Sequence, residues 1–183
     1  METGILIKNI IDQIKEAQIK LGYIKEKMRF YYPLSSVNSM LCTEFDDINK
    51  LIYELQRTGE FEKTEIGRLS FSAHEDRLEI GVSSDGVEYV YEKIESPKFF
   101  ADIINLFATK HNCTIEEICG IFEVYDKNYI CKKMPSDSDF DYVVYFSNKK
   151  IDEYYYCIKL EMGHTVYHRF METDYKEFDG MSR

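Results

Sequence analysis

The amino-acid sequence predicts an α+β fold, with N-terminal and central helices, a β-hairpin and a C-terminal four-stranded antiparallel meander. In some segments apolar residues recur every three or four positions, and in others they alternate with polar residues at a period of two. The composition agrees, because 44% hydrophobic residues with only 9 Gly and 3 Pro among 183 residues indicate a packed core and no long linker. We therefore predict a single domain over residues 1–183.

The helices are predicted from periodicity and from their end signals. Residues 5–21 form an amphipathic pattern that Gly22 ends. A second helix is expected over 45–57, where Thr43 and Asp46 resemble a capping box. Further helices are expected over 97–110 and, behind the capping pair Thr114 and Glu117, over 114–125.

The strands are predicted from alternation and from turn residues. Residues 24–32 are expected to be extended, and 65–83 to form a hairpin that turns at 74–76. Residues 84–86 are expected to be a turn, whereas 87–94 fit either a strand or a helix and stay open. The meander is then expected in four strands separated by Pro-, Asn- and Gly-containing turns, over 129–134, 140–147, 153–161 and 164–171. The acidic tail from 172 to 183 is expected to form one short helical turn.

Charge and cysteine content limit the classes of partner. With 23 Lys and Arg against 33 Asp and Glu, the net charge of −10 repels phosphate backbones and anionic membrane surfaces. The five cysteines are an odd number with no Cys-x-x-Cys pair, and reduced thiols in the cytoplasm are the expected state. We therefore expect a cytoplasmic protein that binds neither nucleic acid nor membrane.

The last two predicted strands bring a cysteine opposite a histidine. If Met162-Gly163 is the turn, residues whose numbers sum to 325 face each other, so Cys157 faces His168. A neighbouring imidazolium lowers a thiol pKa, which would make Cys157 a nucleophile. The structural alternative is a buried cysteine packed against a hydrogen-bonded histidine.

Both faces of the predicted meander are rich in aromatic residues. One face is expected to carry Phe140, Tyr142, Val144, Phe146, Val166 and Phe170, and the other Val143, Tyr145, Tyr154, Tyr156, Ile158, Leu160 and Tyr167. A sheet that is apolar on both faces needs cover on both, from its own helices, a ligand or a second subunit. Tyr154, Tyr156 and Tyr167, with Arg169 beside them, are therefore candidate binding residues.

A basic, aromatic segment precedes a predicted helix start near Pro33. Its candidate binding residues are Arg29, Tyr31, Tyr32, Ser35 and Ser36, because helix N-termini with Ser hydroxyls and a nearby Arg can hold a carboxylate or phosphate. The structural alternative is a helix cap with an ion pair.

No cofactor or metal motif is found in the sequence. Asp137, Asp139 and Asp141 resemble the start of a calcium loop, but Tyr142 stands where the loop needs Gly. The sequence also contains no phosphate-binding loop, dinucleotide fingerprint or His-Glu-x-x-His zinc motif. We therefore expect neither a cofactor nor a metal.

Three segments resemble an uncharacterised domain-of-unknown-function family of clostridial gut bacteria. They are 31–36, 86–90, and 152–157 continued by 167–170. The similarity runs through nearly the whole chain. It implies a small bacterial cytoplasmic protein and brings no activity with it.

Two functional hypotheses follow. The leading one is a non-enzymatic binding or protein-interaction module with a Tyr-rich sheet surface, whose partner is another protein or a second copy of the chain. The alternative is a small enzyme in which Cys157 is the nucleophile, His168 the base and Arg29 the group that holds an anionic substrate.

Overall fold

The structure is a computed structural model that describes residues 3–22, 26–172 and 174–176. The chain folds into two compact units, residues 1–95 and 96–183. Each unit carries helices and one antiparallel sheet, which confirms the predicted α+β class. The assignment of residues 1–183 to a single domain stays a prediction.

The N-terminal unit combines four helices with a three-stranded sheet in the order β1-β3-β2. In chain order its elements are α1 (Thr3–Leu21), β1 (Met28–Pro33), α2 (Leu34–Leu41), α3 (Ile48–Thr58), β2 (Ser70–His74), β3 (Arg77–Val82) and α4 (Ser84–Lys93). The inner face of the sheet is apolar, and Leu78, Ile80 and Val82 of its central strand are buried. The opposite face is polar, as alternation at a period of two requires.

Two close contacts tie helices into this unit. The hydroxyl of Tyr32 donates to Asn9 Oδ1 at 2.8 Å and accepts from Gln13 Nε2 at 2.7 Å, so β1 is hydrogen-bonded to α1. At the start of α4, Gly86 lies so close to Ile66 that an added Cβ would be 2.2 Å from the Ile66 carbonyl oxygen. A residue with a side chain therefore has no room there.

The C-terminal unit combines two helices with a four-stranded antiparallel sheet in the order β4-β5-β6-β7. Its elements are α5 (Lys98–Thr109), α6 (Ile115–Tyr125), β4 (Ile130–Lys133), β5 (Tyr142–Tyr145), β6 (Tyr155–Glu161) and β7 (His164–Phe170). This is the meander predicted from the sequence. Glu172 and residues 174–176 are helical, as expected for the start of the tail, and the rest of the tail lies outside the described residues.

An aromatic cluster packs the helices of this unit onto one face of its sheet. Phe99 of α5 meets Phe122 of α6 at a ring separation of 4.8 Å, Phe146 at 4.7 Å and Tyr156 of β6 at 6.0 Å. The ring pairs are close to perpendicular, the edge-to-face geometry that aromatic quadrupoles favour. This face is therefore closed by α5 and α6.

Several local predictions are confirmed. The first helix ends at Gly22, whose φ of 78° is the left-handed conformation of a helix stop. Thr114 and Glu117 form the predicted capping box at the start of α6. The hairpin of β2 and β3 lies within the predicted range, and 87–94, left open by the sequence, is helical through Lys93.

Two local predictions are wrong. The helix expected from residue 45 begins at Ile48, because the side chain of Asp47 caps the backbone N–H groups of Asn49 and Lys50. The turn expected over 84–86 is the first turn of α4, because the Ser83 hydroxyl accepts from the Gly86 N–H and starts a helix there.

Gly86→Ala should destabilise the protein by about 2 kcal/mol, because the new Cβ overpacks against backbone at Ile66. The matched control is Gly120→Ala, within α6, where a Cβ meets nothing within 4 Å. The control should stabilise the protein by up to about 1 kcal/mol through helix propensity. Free energies of unfolding from denaturant titration test both, and equal effects of the two variants would contradict the proposed close approach.

The buried phenol of Tyr32 should make stability fall at alkaline pH. Burial raises the pKa of Tyr32, whereas an unfolded tyrosine ionises at about pH 10. Its contribution is therefore fully present below pH 10 and falls by about 1.4 kcal/mol per pH unit as the pH rises further. Denaturant titrations at about pH 9 and pH 11 should show a smaller loss for Tyr32→Phe than for the wild type. Equal losses in the two proteins would contradict this role of Tyr32.

Candidate functional site

The Cys157–His168 pairing has the register that the sequence predicts. Cys157 of β6 lies opposite His168 of β7, and Tyr155 lies opposite Phe170. The two side chains differ in exposure, because Cys157 is fully buried and His168 is exposed on the edge strand.

The thiol of Cys157 lies inside an apolar cluster. Buried Met134, Val143 and Tyr155 surround it, and partly buried side chains complete the cluster, namely Phe140, Tyr145, Phe170 and Tyr175. A nucleophile must reach a substrate, and a fully buried thiol has no solvent-accessible surface for one. The arrangement matches the structural alternative of a packed core cysteine.

The tyrosines of the C-terminal sheet that the sequence predicts as binding residues pack against side chains of their own unit. Tyr156 is fully buried, and its hydroxyl donates to Asp152 at 3.4 Å. The ring of Tyr167 stacks on Phe107 at 3.9 Å. Tyr154 is buried beneath Arg169, whose guanidinium lies 4.4 Å from the ring centre.

The predicted division of the meander into two faces is wrong for one strand. Val144 pairs with Tyr156, and Val143 pairs with Cys157, so Val144 shares the face of Tyr156 that α5 and α6 cover. The alternation in the sequence predicts Val144 on the other face. The reason is that nine residues, 146–154, connect β5 to β6, so no two-residue hairpin turn fixes the register of the pair.

The other predicted group, around Arg29, divides between three places. Arg29 and Tyr31 are exposed on the polar face of the N-terminal sheet. Tyr32 points the opposite way, into the core. Ser35 and Ser36 lie in the first turn of α2, a helix that begins without a side-chain cap.

The polar sheet face is an open surface on one side of the N-terminal sheet. We define it as the nine residues that share one side of β1, β3 and β2, namely Arg29, Tyr31, Pro33, Arg77, Glu79, Gly81, Ser70, Ser72 and His74. All nine are exposed or half-exposed. Arg77, His74 and the two serines were not singled out from the sequence, although the hairpin alternation would have put them on one face.

The centre of the polar sheet face is a tyrosine–histidine contact. The rings of Tyr31 on β1 and His74 on β2 lie 5.0 Å apart, across the central strand. Glu79, half-buried below them, accepts a hydrogen bond from the Ser72 hydroxyl at 3.3 Å. Arg29 Nε lies 3.7 Å from a Glu79 oxygen, yet most of the Arg29 side chain is exposed. The arginine is therefore positioned while its guanidinium stays accessible.

A pocket that the sequence does not predict lies at the start of α6. It has a volume of about 350 Å³ and is bordered by Cys113, Glu116, Glu161 and His164. Thr165 also borders this opening, and its hydroxyl donates a hydrogen bond to the Cys113 carbonyl at 2.8 Å. Burial raises the pKa of the Cys113 thiol, which donates to the Lys110 carbonyl at 3.2 Å. The thiol is therefore protonated at neutral pH.

Neither a group of metal ligands nor a membrane-spanning helix occurs in the part of the chain that the structure describes. Over 3–22, 26–172 and 174–176, no three His, Cys, Asp or Glu side chains are grouped so that they could hold a metal ion. In the same part of the chain, no helix has both the length and the apolar character that crossing a membrane requires.

The fold and these surfaces define an α+β protein with an open polar sheet face and an aromatic sheet that packs against its own helices. A family model matches residues 3–178, and the chain belongs to that family, a domain of unknown function described from an E. rectale gene (DUF3877). The match confirms the resemblance to a domain-of-unknown-function family of a clostridial gut bacterium. No curated protein and no solved structure matches the chain.

In the native protein Cys157 should resist alkylation, because its side chain is fully buried. Cys42 is exposed and serves as an internal control that should be modified readily. Mass spectrometry after iodoacetamide treatment, with and without denaturant, should show Cys157 modified only in the unfolded protein. Rapid modification of native Cys157 would instead support the enzyme hypothesis.

Proposed function

We propose that the chain is a non-enzymatic protein-interaction module and that the polar sheet face is its contact surface. The observation that carries the proposal is the exposed Tyr31, whose side chain is 41% exposed. It lies on β1 between the position of Arg29, on the same strand, and that of Arg77, on the neighbouring β3, and both arginines are exposed. Tyrosine and arginine are the residues on which interface binding energy most often concentrates. Their position on paired strands fixes the backbone, which lowers the entropy cost of binding.

The charge of the face favours an acidic partner. Arg29 and Arg77 lie on this face with Glu79 as the only acidic member, although the whole chain has a net charge of −10. Arg77 pairs with Pro33, four residues along β1 from Arg29, which puts the two arginine positions about 13 Å apart along the strands and about 14 Å apart on the diagonal.

The spacing of the two arginines suggests the form of the partner segment. In an extended peptide, residues four apart point to the same side and are separated by about 13 Å. Two carboxylates at that spacing could therefore contact Arg29 and Arg77 together, with the peptide crossing Tyr31 between them. A small anionic ligand, the other type of partner expected from the sequence, would be too short to span the two backbone positions and cover Tyr31 between them.

The burial of the alternative sites supports this choice. Tyr154 and Tyr156 are buried, so a partner could reach them only if α5 or α6 moved away. Cys157, the candidate nucleophile, is fully buried. The polar sheet face needs no such movement.

The proposal is tested with a synthetic extended peptide that carries glutamates at positions i and i+4 between threonines. Titrated into isotope-labelled protein, it should shift the NMR amide signals of β1, β2 and β3. Arg29→Glu and Arg77→Glu should each weaken binding about tenfold or more, because each replaces an attraction by a repulsion. Arg57→Glu is the matched control, since Arg57 is an exposed arginine on α3 paired only locally with Glu54.

The contrary results are equally clear. Shifts that are confined to α3 or α4, or an equal loss for Arg57→Glu, would place the contact elsewhere. A peptide with lysines in place of the glutamates should not bind. If both peptides bind equally, the proposal that Arg29 and Arg77 recognise acidic side chains is wrong.

A further inference from the structure

His74 lies on the polar sheet face together with the two arginines of the proposed contact surface. It is the exposed last residue of β2, and it pairs directly with Arg77 of β3. Its ring lies 5.0 Å from the ring of Tyr31 on β1, at an interplanar angle of 53°. One histidine is therefore next to both the exposed tyrosine and one of the arginines on which partner binding depends.

The charged and titratable groups around His74 are of both signs. They are Arg29 and Tyr31 of β1, Arg77 and Glu79 of β3, and Glu75 and Asp76 in the turn that follows β2. On the polar sheet face itself, two arginines are opposed by one glutamate, so the face has a net charge of +1 while the imidazole is neutral. A proton on the imidazole raises the net charge of the face to +2.

We propose that His74 is a third contact for the acidic partner and that binding of this partner strengthens when the imidazole is protonated. The inference rests on the proposed function, since it concerns the same face and the same partner. Histidine is the side chain whose charge ordinarily changes between pH 5 and 8. The polar sheet face therefore holds an acidic segment more tightly as the pH falls through that range.

The strand register puts His74 where one partner carboxylate can meet two cations. Side chains directly opposite each other on antiparallel strands have Cβ atoms about 5 Å apart. His74 and Arg77 are such a pair, so a carboxylate held by the Arg77 guanidinium lies within reach of the imidazole. Arg29, about 13 Å further along the strands, is left to contact the second carboxylate of the segment.

The imidazolium adds binding energy that the neutral ring cannot supply. A carboxylate between His74 and Arg77 gains a charge-assisted hydrogen bond from an imidazolium, whereas a neutral imidazole offers only an uncharged N–H donor. The ring contact with Tyr31 restricts the imidazole before binding, so less side-chain entropy is lost when the partner arrives. By linkage, a partner that binds the protonated form more tightly also favours that form.

The test compares the affinity of the same glutamate peptide at about pH 6 and about pH 8, at low ionic strength, by NMR titration. Glutamate ionises at about pH 4.3, so the peptide keeps its charge over this range. The wild-type protein should bind the peptide about threefold more tightly at pH 6, which is the effect of one additional exposed ion pair.

Three variants separate the charge of His74 from its ring. His74→Phe keeps an aromatic ring beside Tyr31 but cannot be protonated, so its affinity at both pH values should equal that of the wild type at pH 8. His74→Arg is charged throughout, so its affinity at both pH values should be close to that of the wild type at pH 6. His164→Phe, the matched control, removes an exposed histidine of β7 in the C-terminal unit and should keep the wild-type pH dependence.

The outcomes distinguish this inference from the proposed function. If the wild type binds the peptide equally at both pH values, or if His74→Phe keeps the pH dependence, the role of His74 is overturned while the polar sheet face still binds. If the wild type binds the peptide at neither pH, the proposed function fails and this inference fails with it. His74→Gln, a second uncharged variant at the same exposed position, gives the decisive comparison if His74→Phe folds poorly.

Discussion

The C-terminal unit depends on one constraint: its sheet is apolar on both faces and must be covered on both. Phe99 and Phe122, from α5 and α6, cover the face that carries Tyr156. On the other face Tyr175, from the helical segment after β7, stacks on Tyr155 at 4.5 Å. Because these covers come from the same chain, Tyr155 and Tyr156 are packed within it, and Cys157 becomes a core residue.

The same constraint explains what the tyrosines and two of the cations of this unit do. Arg169 lies over Tyr154 on the helix side, and Lys149 Nζ lies 3.9 Å from the centre of the Tyr155 ring on the opposite side. Each cation covers part of an aromatic face and gains a cation–π attraction. Burial lowers the pKa of Lys149, although the carboxylates of Glu172 and Asp152 oppose that shift. These side chains therefore stabilise the unit from within, and contact with a partner would compete with that packing.

The sequence predicts well what is decided locally. The capping box at Thr114, the stop at Gly22 and the register opposite Cys157 each depend on a few neighbouring residues, and each is confirmed. What depends on distant pairing was not predictable in the same way. The phase of β5 follows a long connection, and the contact of Tyr31 with His74 needs β1 to pair with a strand some fifty residues away. For that reason Arg29 and Tyr31 were found as candidates, whereas His74 and Arg77 were not.

The contrast between the central strands β3 and β6 nevertheless supports the proposal that the N-terminal sheet is the contact surface. β3 alternates charged or small residues with buried Leu78, Ile80 and Val82, so one of its faces is polar and accessible to solvent. β6 is buried without interruption over 155–158, so both of its faces need cover. A face that is already polar can stay open and still meet a partner, because binding need not displace any packed element. An apolar face stays soluble only when it is covered, and its tyrosines are then used in folding. The tyrosines of β6 are therefore used in packing, whereas Tyr31, on a strand whose exposure alternates, stays accessible.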